Sequence, residues 1–398
     1  MPTLANASDC TGCSACANIC PHGAITIGPD SSGFIMPAID ENRCVECRLC
    51  EKACPIVNDI NLKHPEVKDV YAFWDNRTRT ASSSGGAFSA IARWILERGG
   101  VVFGAAWQED FHCRHISCDD MVGLSALRGS KYLQSEIGKT FSEAKKALIE
   151  GKYVLFTGTP CQIAGLRSFL RKSYDNLLTV DIVGHGTPSN ELFKNYIYKL
   201  KREYPKYAPA DGFEFRNLHG WGYAPTVKVR NIFSKKELTG IPNLYMAAFK
   251  KAATFRESCY DCRFNGLSRV GDLTIADFWG IGALGSPFRH DVSKGVSLVL
   301  LNSGKGREVF RELKDCFVET REVGEAVQLN HNLTGSSTRP VDREGIIEAF
   351  NNPELLLSEI DSRFHLTEHG LKIKITDLLI STGLFWKVKS LINKIRSI

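Results

Sequence analysis

Beyond about residue 60 the chain alternates short apolar runs with longer segments in which apolar residues recur every three or four positions. The runs VYAFW (70–74), VVFGAAW (101–107), YVLF (153–156), LLTVDIV (177–183), LTIADFW (273–279) and SLVLLN (297–302) read as strands. Between them, SSGGAFSAIARWILERGG (83–100), KTFSEAKKALIEG (139–151), PCQIAGLRSFLR (160–171) and KGREVFRELK (305–314) read as helices, with Gly99 and Gly151 closing two of them. Strands that alternate with helices predict an α/β body whose mixed sheet is covered by helices. Residues 205–245, rich in Pro, Gly and aromatic side chains, read as an inserted lobe.

A different pattern closes the chain. In residues 346–398, and most clearly in 371–398, Ile375, Leu378, Leu379, Phe385, Trp386, Val388, Leu391, Ile392 and Ile395 are interleaved with Lys387, Lys389, Lys394 and Arg396. This is a basic amphipathic pattern, read either as a helix packed on protein or as a peripheral contact with an anionic membrane. The formal net charge of +6 is concentrated there: residues 371–398 hold six Lys or Arg and one Asp, which leaves +1 for the rest. A nearly neutral body argues against nucleic-acid binding, which needs a clustered basic footprint. No run of about 18 apolar residues and no secretory signal appears, so the expected location is cytoplasmic, with the tail allowing contact with the inner membrane face.

The first 60 residues follow neither pattern. CTGCSACANICP, from Cys10 to Pro21, returns 34 residues later as CVECRLCEKACP, from Cys44 to Pro55. Each copy reads C-x2-C-x2-C-x3-C-P, in which three thiolates wrap one 4Fe-4S cluster and the fourth reaches the other. One cluster is therefore expected on Cys10, Cys13, Cys16 and Cys54, and the second on Cys44, Cys47, Cys50 and Cys20. Gly12 and Gly23 allow the tight turns that ligation needs. Zinc is the competing reading, but it usually takes paired C-x2-C knuckles without the third Cys and the trailing Pro. Over residues 5–58 the segment resembles bacterial dicluster ferredoxins. The expected fold is thus an α+β ferredoxin-like module followed by the α/β body.

Four further constellations carry candidate chemistry. Ser82-Ser83-Ser84-Gly85-Gly86 lies between a strand and a helix, where it either caps the helix or holds a phosphate. In Gly158-Thr159-Pro160-Cys161-Gln162, Thr159 caps, Pro160 fits the first helical position, and Cys161 sits where the helix dipole favours a thiolate, unless it simply packs. Cys259 and Cys262 form a C-x2-C pair followed by Asp277-Phe278-Trp279-Gly280. Gly280-x-Gly282-x-x-Gly285 matches a dinucleotide fingerprint by letter, yet the following SPFRHDVSKG has no helical period, so no helix N-terminus is there to hold a pyrophosphate.

In this order the pieces resemble the family of beta subunits of coenzyme F420 hydrogenases and dehydrogenases, with a fused N-terminal dicluster ferredoxin. The likeness runs over about residues 5–320 and is carried by SSSGGAF (82–88), GSKY (129–132), FTGTPCQIAGL (156–166), HGTPS (185–189), CYDCRF (259–264) and DLTIADFWG (272–280). It implies a 1–60 cluster domain, a family N-terminal α/β region at 61–150, a C-terminal α/β region at 151–345 and the tail at 346–398. It also implies FAD, with contacts at Ser83, Ser84, Gly85, Gly86, Lys131, Tyr132, Gly158, Thr159, Gln162 and Asp277, Lys131 being a partner for a phosphate or for the reduced ring. Similar proteins often read C-H-G-x-P-S where this chain has Gly184-His185-Gly186-Thr187-Pro188-Ser189. A third cluster on Cys161, Cys259 and Cys262 would then need a fourth ligand such as His185, Cys113 or Cys118.

Clusters pass single electrons whereas a deazaflavin or nicotinamide passes a hydride, so a flavin is the natural converter between them. The expected activity is an iron-sulfur flavoprotein oxidoreductase that links a ferredoxin or other redox partner protein to a small two-electron substrate, coenzyme F420 being one candidate. The alternative is an adaptor that wires clusters to a partner enzyme and binds no substrate itself.

Overall fold

The computed structural model describes residues 1–58, 61–216, 221–222, 225–230, 235–238, 243–283 and 286–367. The basic stretch at 371–398 lies outside the described residues, as do parts of the 205–245 lobe. Among the described residues no helix is long and apolar enough to cross a membrane.

The N-terminal repeat folds as two copies of one short unit. Helix α1 (Ala15–Ile19) is followed by strands β1 (Ile25–Pro29) and β2 (Ile35–Ile39), which pair antiparallel, and then by helix α2 (Leu49–Ala53). Ser14 and Arg48, 34 residues apart, enter these helices in left-handed conformations with φ of 61° and 56°. Gly12 (φ 66°) and Glu46 (φ 53°) form the next matching pair. A left-handed backbone costs a non-glycine residue on the order of 1–2 kcal/mol, so its recurrence in both copies marks a loop shape imposed by more than local preference.

The body is built on eight strands: β3 (Asp69–Asp75), β4 (Val101–Trp107), β5 (Cys113–Cys118), β6 (Val154–Gly158), β7 (Leu177–Ile182) and, after the three-stranded antiparallel lobe of β8 (Ala210–Glu214), β9 (Thr226–Arg230) and β10 (Lys235–Leu238), β11 (Leu273–Asp277), β12 (Ser297–Leu301) and β13 (Cys316–Arg321). Their order is β13-β3-β12-β11-β7-β6-β4-β5. Strands β4, β6, β7 and β11 are parallel neighbours, while β12, β3, β13 and β5 add antiparallel pairs at the two sides. Because β12 opposes both β11 and β3, β3 runs with the parallel set. The strands β3, β4, β6, β7 and β11 therefore all end at one edge of the sheet.

Helices cover both faces. Helix α3 (Ala87–Leu96) and the short α4 (Leu124–Leu127) bury Ala90, Ile91, Ile95, Leu124 and Leu127 against Val102, Leu155, Leu178 and Val180. On the other face α5 (Thr140–Ile149) and α6 (Pro160–Leu170) bury Phe141, Ala144, Ile163, Leu166 and Phe169 against Phe103, Val154 and Phe156. Adjacent strand residues such as Leu155 and Phe156 thus serve opposite cores, as the pleat requires. The second core also takes in Cys13, Ala15 and Ile56, so the N-terminal repeat is packed onto the body through α6. A third core joins α7 (Asn190–Glu203) and α8 (Leu244–Lys250) to the lobe and to the helix Arg343–Asn351.

Candidate functional site

The eight repeat cysteines separate into two cavities. Cys10, Cys13, Cys16 and Cys54 line one, of about 400 Å³, together with Leu4, Ala5, Ile27, Pro37 and Ile56. Cys20, Cys44, Cys47 and Cys50 line the other, of about 330 Å³. In each, three cysteines come from one copy and the fourth from the other copy. Among the described residues no three Cys, His, Asp or Glu side chains converge on a single ion. A tetrahedral zinc site holds its thiolates about 3.8 Å apart, given metal–sulfur bonds near 2.3 Å; a cubane, with its ligands on four separate irons, needs the wider cavity. The donor set therefore suits clusters. Burial pushes the thiols of Cys13 and Cys16 up to about 12, so ligation must expel their protons.

The first cavity lies against α6. A side chain at Gly165 would put its Cβ 2.9 Å from both Cβ and Sγ of Cys13. One turn earlier on the same helix stands Cys161, with Thr159 Oγ1 3.1 Å from its Sγ. Thr159 caps α6 in a reciprocal box: Gln162 Oε1 accepts from the Thr159 amide at 3.0 Å. Of the two readings of Cys161, a thiolate or a packing side chain, burial favours the second in the cluster-free fold: it drives the Cys161 thiol far up and outweighs the Thr159 hydrogen bond. The neighbouring thiols of Cys262, Cys259 and Cys13 add to the effect, placing all three within electrostatic reach. Thr187 Oγ1 lies 3.8 Å from Cys259 Sγ, so the 184–189 loop borders this trio. A Cβ at Gly184 would meet no heavy atom within 4 Å. Cys113 and Cys118 do not join: Cys113 faces Lys131, Ser135 and Glu136, and Cys118 faces Asp119 and Asp120. The His185 ring meets Phe249 edge-on at 6.4 Å.

The remaining motifs gather along the same sheet edge. The SSSGG loop follows β3 and folds back on it, the Asp75 amide donating to the Gly85 carbonyl at 2.8 Å. Asp75 is fully buried and receives both terminal nitrogens of Arg93 at 3.0 and 2.9 Å, with Thr78 as a further donor. GSKY meets this loop directly, since the Ser130 amide donates to Ser83 Oγ at 3.1 Å. Ser84 Oγ donates to the Val296 carbonyl. The loops after β6, β7 and β11 complete the edge, with Thr159, Thr187 and Asp277.

Residues 151–325 match the family model for the C-terminus of the coenzyme F420 hydrogenase/dehydrogenase beta subunit, and residues 9–57 match the 4Fe-4S dicluster domain. Residues 151–325 are thus similar to F420 hydrogenase/dehydrogenase beta subunits, and residues 9–57 to dicluster ferredoxin domains. Relatives of this homologue include F(420)H(2) dehydrogenase, F subunit, of Methanosarcina mazei, 23% identical over 171 residues, which are 40% of this chain and 47% of that protein. Coenzyme F420-dependent sulfite reductase of Methanocaldococcus jannaschii is 24% identical over 305 residues, 75% of this chain and 45% of that protein. The chain thus spans about half the length of the curated relatives it matches. A chain of the F420-reducing [NiFe] hydrogenase complex from Methanosarcina barkeri aligns with a TM-score of 0.46 and 15% identity, covering 72% of this chain and 93% of that one.

Several side chains expected to face FAD are spent inside the protein. Lys131 Nζ donates to the carbonyls of Ala126, Leu127 and Arg128 at 3.2, 3.3 and 2.8 Å, capping α4 with all three of its protons. Burial lowers its pKa to about 8. Gln162 Nε2 donates to the Ser135 carbonyl. Asp277 pairs with Arg216 and accepts from Trp221 Nε1 at 2.6 Å, which pins the lobe to the end of β11. Tyr132 meets Phe215 and Phe249 edge-on. Gly85 has an internal reason to be glycine, because a Cβ there would lie 2.2 Å from the Phe73 carbonyl oxygen. The backbone of the loop remains for an anion: Gly86 (φ 90°) enters α3 with no side-chain cap, leaving that N-terminus to other acceptors. The Rossmann reading stays rejected, since Gly280 and Gly282 lie in turns with φ of 75° and 73° and no helix begins in residues 286–296. Gly165 and Arg256, which sequence reasoning passed over, touch Cys13 and the Cys10 carbonyl, which line the first cavity; the only signal in sequence was small size inside a helix for one, and nothing for the other.

Proposed function

We propose that this chain is an iron-sulfur flavoprotein oxidoreductase that relays electrons through two 4Fe-4S clusters, one on Cys10, Cys13, Cys16 and Cys54 and one on Cys20, Cys44, Cys47 and Cys50. The observation that carries the reading is the crossed sharing of cysteines between two cavities, joined to the contact of Cys13 with the Cys161 helix. The outer cavity, with Cys47 exposed, is the entry for a redox partner protein such as a ferredoxin; the inner one faces the body. Cys161, Cys259 and Cys262 are the ligands offered to a third cluster, and Gly184 stands in sequence where similar proteins often have cysteine.

FAD, when bound, would exchange electron pairs with a small substrate, coenzyme F420 being the candidate its relatives suggest. In this chain its phosphates would lie at the amides that open α3, beside Ser83 and Gly86. Asp75 and Arg93 hold that loop in place, and α3 and α4 exclude water behind it. The engagement of Lys131, Gln162 and Asp277 within the protein favours a second reading, an adaptor that holds clusters without flavin. Anaerobic purification with iron, sulfide and flavin quantification decides between them. About eight irons or more with one flavin per chain supports the oxidoreductase; the same iron without flavin supports the adaptor, and the absence of iron and sulfide removes both.

A further inference from the structure

Between the inner cavity and the Cys161 trio lies a buried cation with no anion at contact distance among the described residues. Arg256 is 2% exposed and makes no ion pair with any described residue. Its five protons go to neutral acceptors: Gln134 Oε1 at 3.1 Å from Nε and 2.9 Å from Nη2, the Ile35 carbonyl at 2.7 Å, the Cys10 carbonyl at 3.1 Å and Met36 Sδ at 3.3 Å. Its own amide donates to the Thr187 carbonyl at 3.0 Å, in the loop that borders Cys259. The groups that act on its charge are, in order after burial, the thiols of Cys10, Cys259 and Cys161, with the Asp30 carboxylate behind them. An isolated charge kept from water is costly unless an opposite charge compensates it. Nothing among the described residues provides that charge at contact distance.

We infer that Arg256 is the built-in counter-ion of the iron-sulfur relay, placed between the Cys10 cluster and the Cys161 trio to raise the reduction potential of the inner cluster. This rests on the two-cluster reading above. A thiolate-ligated cluster is a net anion in both oxidation states and gains one more negative charge when one electron enters. A fixed positive charge beside it stabilises the reduced form more than the oxidised one, and net charge and burial are among the levers that set cluster potentials. The consequence is directional: the inner cluster draws the electron inward from the exposed outer one, and Arg256 acts through the cluster as a positioning residue. Its hydrogen bonds to the Cys10 and Ile35 carbonyls also tie the repeat to the body, so charge and docking must be separated by experiment.

The test is a spectroelectrochemical titration of the cluster-loaded full chain, followed by electron paramagnetic resonance, in wild type, Arg256→Lys and Arg256→Met. Lysine keeps the charge but cannot reproduce the five-donor fork. The charge role predicts a potential near wild type for Arg256→Lys and a shift to more negative potential of the inner cluster alone for Arg256→Met. Equal potentials in all three fully loaded proteins would overturn the inference, as would a fall in Arg256→Lys matching that in Arg256→Met. If Arg256→Met does not hold the inner cluster, Arg256→Lys decides by itself: a retained cluster at wild-type potential sustains the role, and a lowered one overturns it. A wild-type chain that binds no iron or sulfide would remove the two-cluster reading instead.

Discussion

The two cysteine cavities share one loop shape but differ in their surroundings. The inner one is lined by Ile27, Pro37 and Ile56, its Cys10 and Cys13 are buried, and Arg256 and α6 press on the Cys10 carbonyl and on Cys13 from behind; the outer one opens to solvent at Cys47 with Val45 beside it, 59% exposed. Four thiolates at repeated spacing therefore specify that a cluster forms, while the neighbours of each set specify what it faces. The comparison teaches that, in the proposed relay, what distinguishes the two clusters would come from the body and not from the repeat.

The strongest way to break the comparison is to remove one cavity at a time. Cys20→Ser is expected to abolish the outer cluster, whose other ligands are Cys44, Cys47 and Cys50, and to halve the iron and sulfide of the repeat while the inner signal persists. Loss of the inner signal instead would refute the crossed assignment. Gly165→Leu should do the reverse, since a Cβ already collides with Cys13; the outer cluster should remain and circular dichroism should show the helices intact. Retention of both clusters would mean that α6 and Cys13 can part without cost.

A smaller effect is expected from pH. Cys13 and Cys16 have thiols raised to about 12 in the cluster-free fold, so both stay protonated below that and each gives up a proton on ligation. Loading of the inner site should strengthen by about tenfold per pH unit for each such thiol between about pH 6 and 9. Chelator competition at three pH values measures the slope, and a flat profile would show that these thiols ionise before the cluster arrives.

The smallest effect concerns the opposite end of the edge. Lys131→Met should lower stability by about 1–2 kcal/mol through loss of charged hydrogen bonds at the α4 terminus. Thermal unfolding gives this number, and flavin quantification on the same protein shows whether Lys131 also serves a cofactor. A full flavin complement in a destabilised Lys131→Met would leave it a helix cap only.

The grouping of the cysteines was legible in sequence, because the repeat spacing predicts the two sets that line the two cavities. The parallel strands were legible too, since LLTVDIV and YVLF are buried on both faces and read as continuous apolar runs. Harder to see were β5 (CRHISC) and β13 (CFVETR), the two outermost strands of the sheet, whose polar residues on one face leave too weak an alternation. LTIADFW was read two residues too long: β11 ends at Asp277, whose carboxylate is taken by Arg216 and Trp221 from a lobe distant in sequence. The same reason defeated Lys131 and Gln162: a polar side chain beside a motif looks free until the carbonyls that claim it are placed by tertiary folding. Arg256 is the extreme case, an arginine with no motif whose meaning depends on Cys10, 246 residues earlier.

The seating of Cys13 on Gly165 also bears on how such a chain tolerates change in length. Cys161 and Gly165 are one turn apart on α6, about 5.4 Å of rise, so the spacing of Cys161 from the helix position that seats Cys13 is ruled by helix pitch. The segment that joins the repeat to β3 does not enter that measure. Insertions there should leave this seating unaltered, and such a repeat could be exchanged, circularly rejoined or supplied as a separate polypeptide, provided that Gly165 still finds its cysteine.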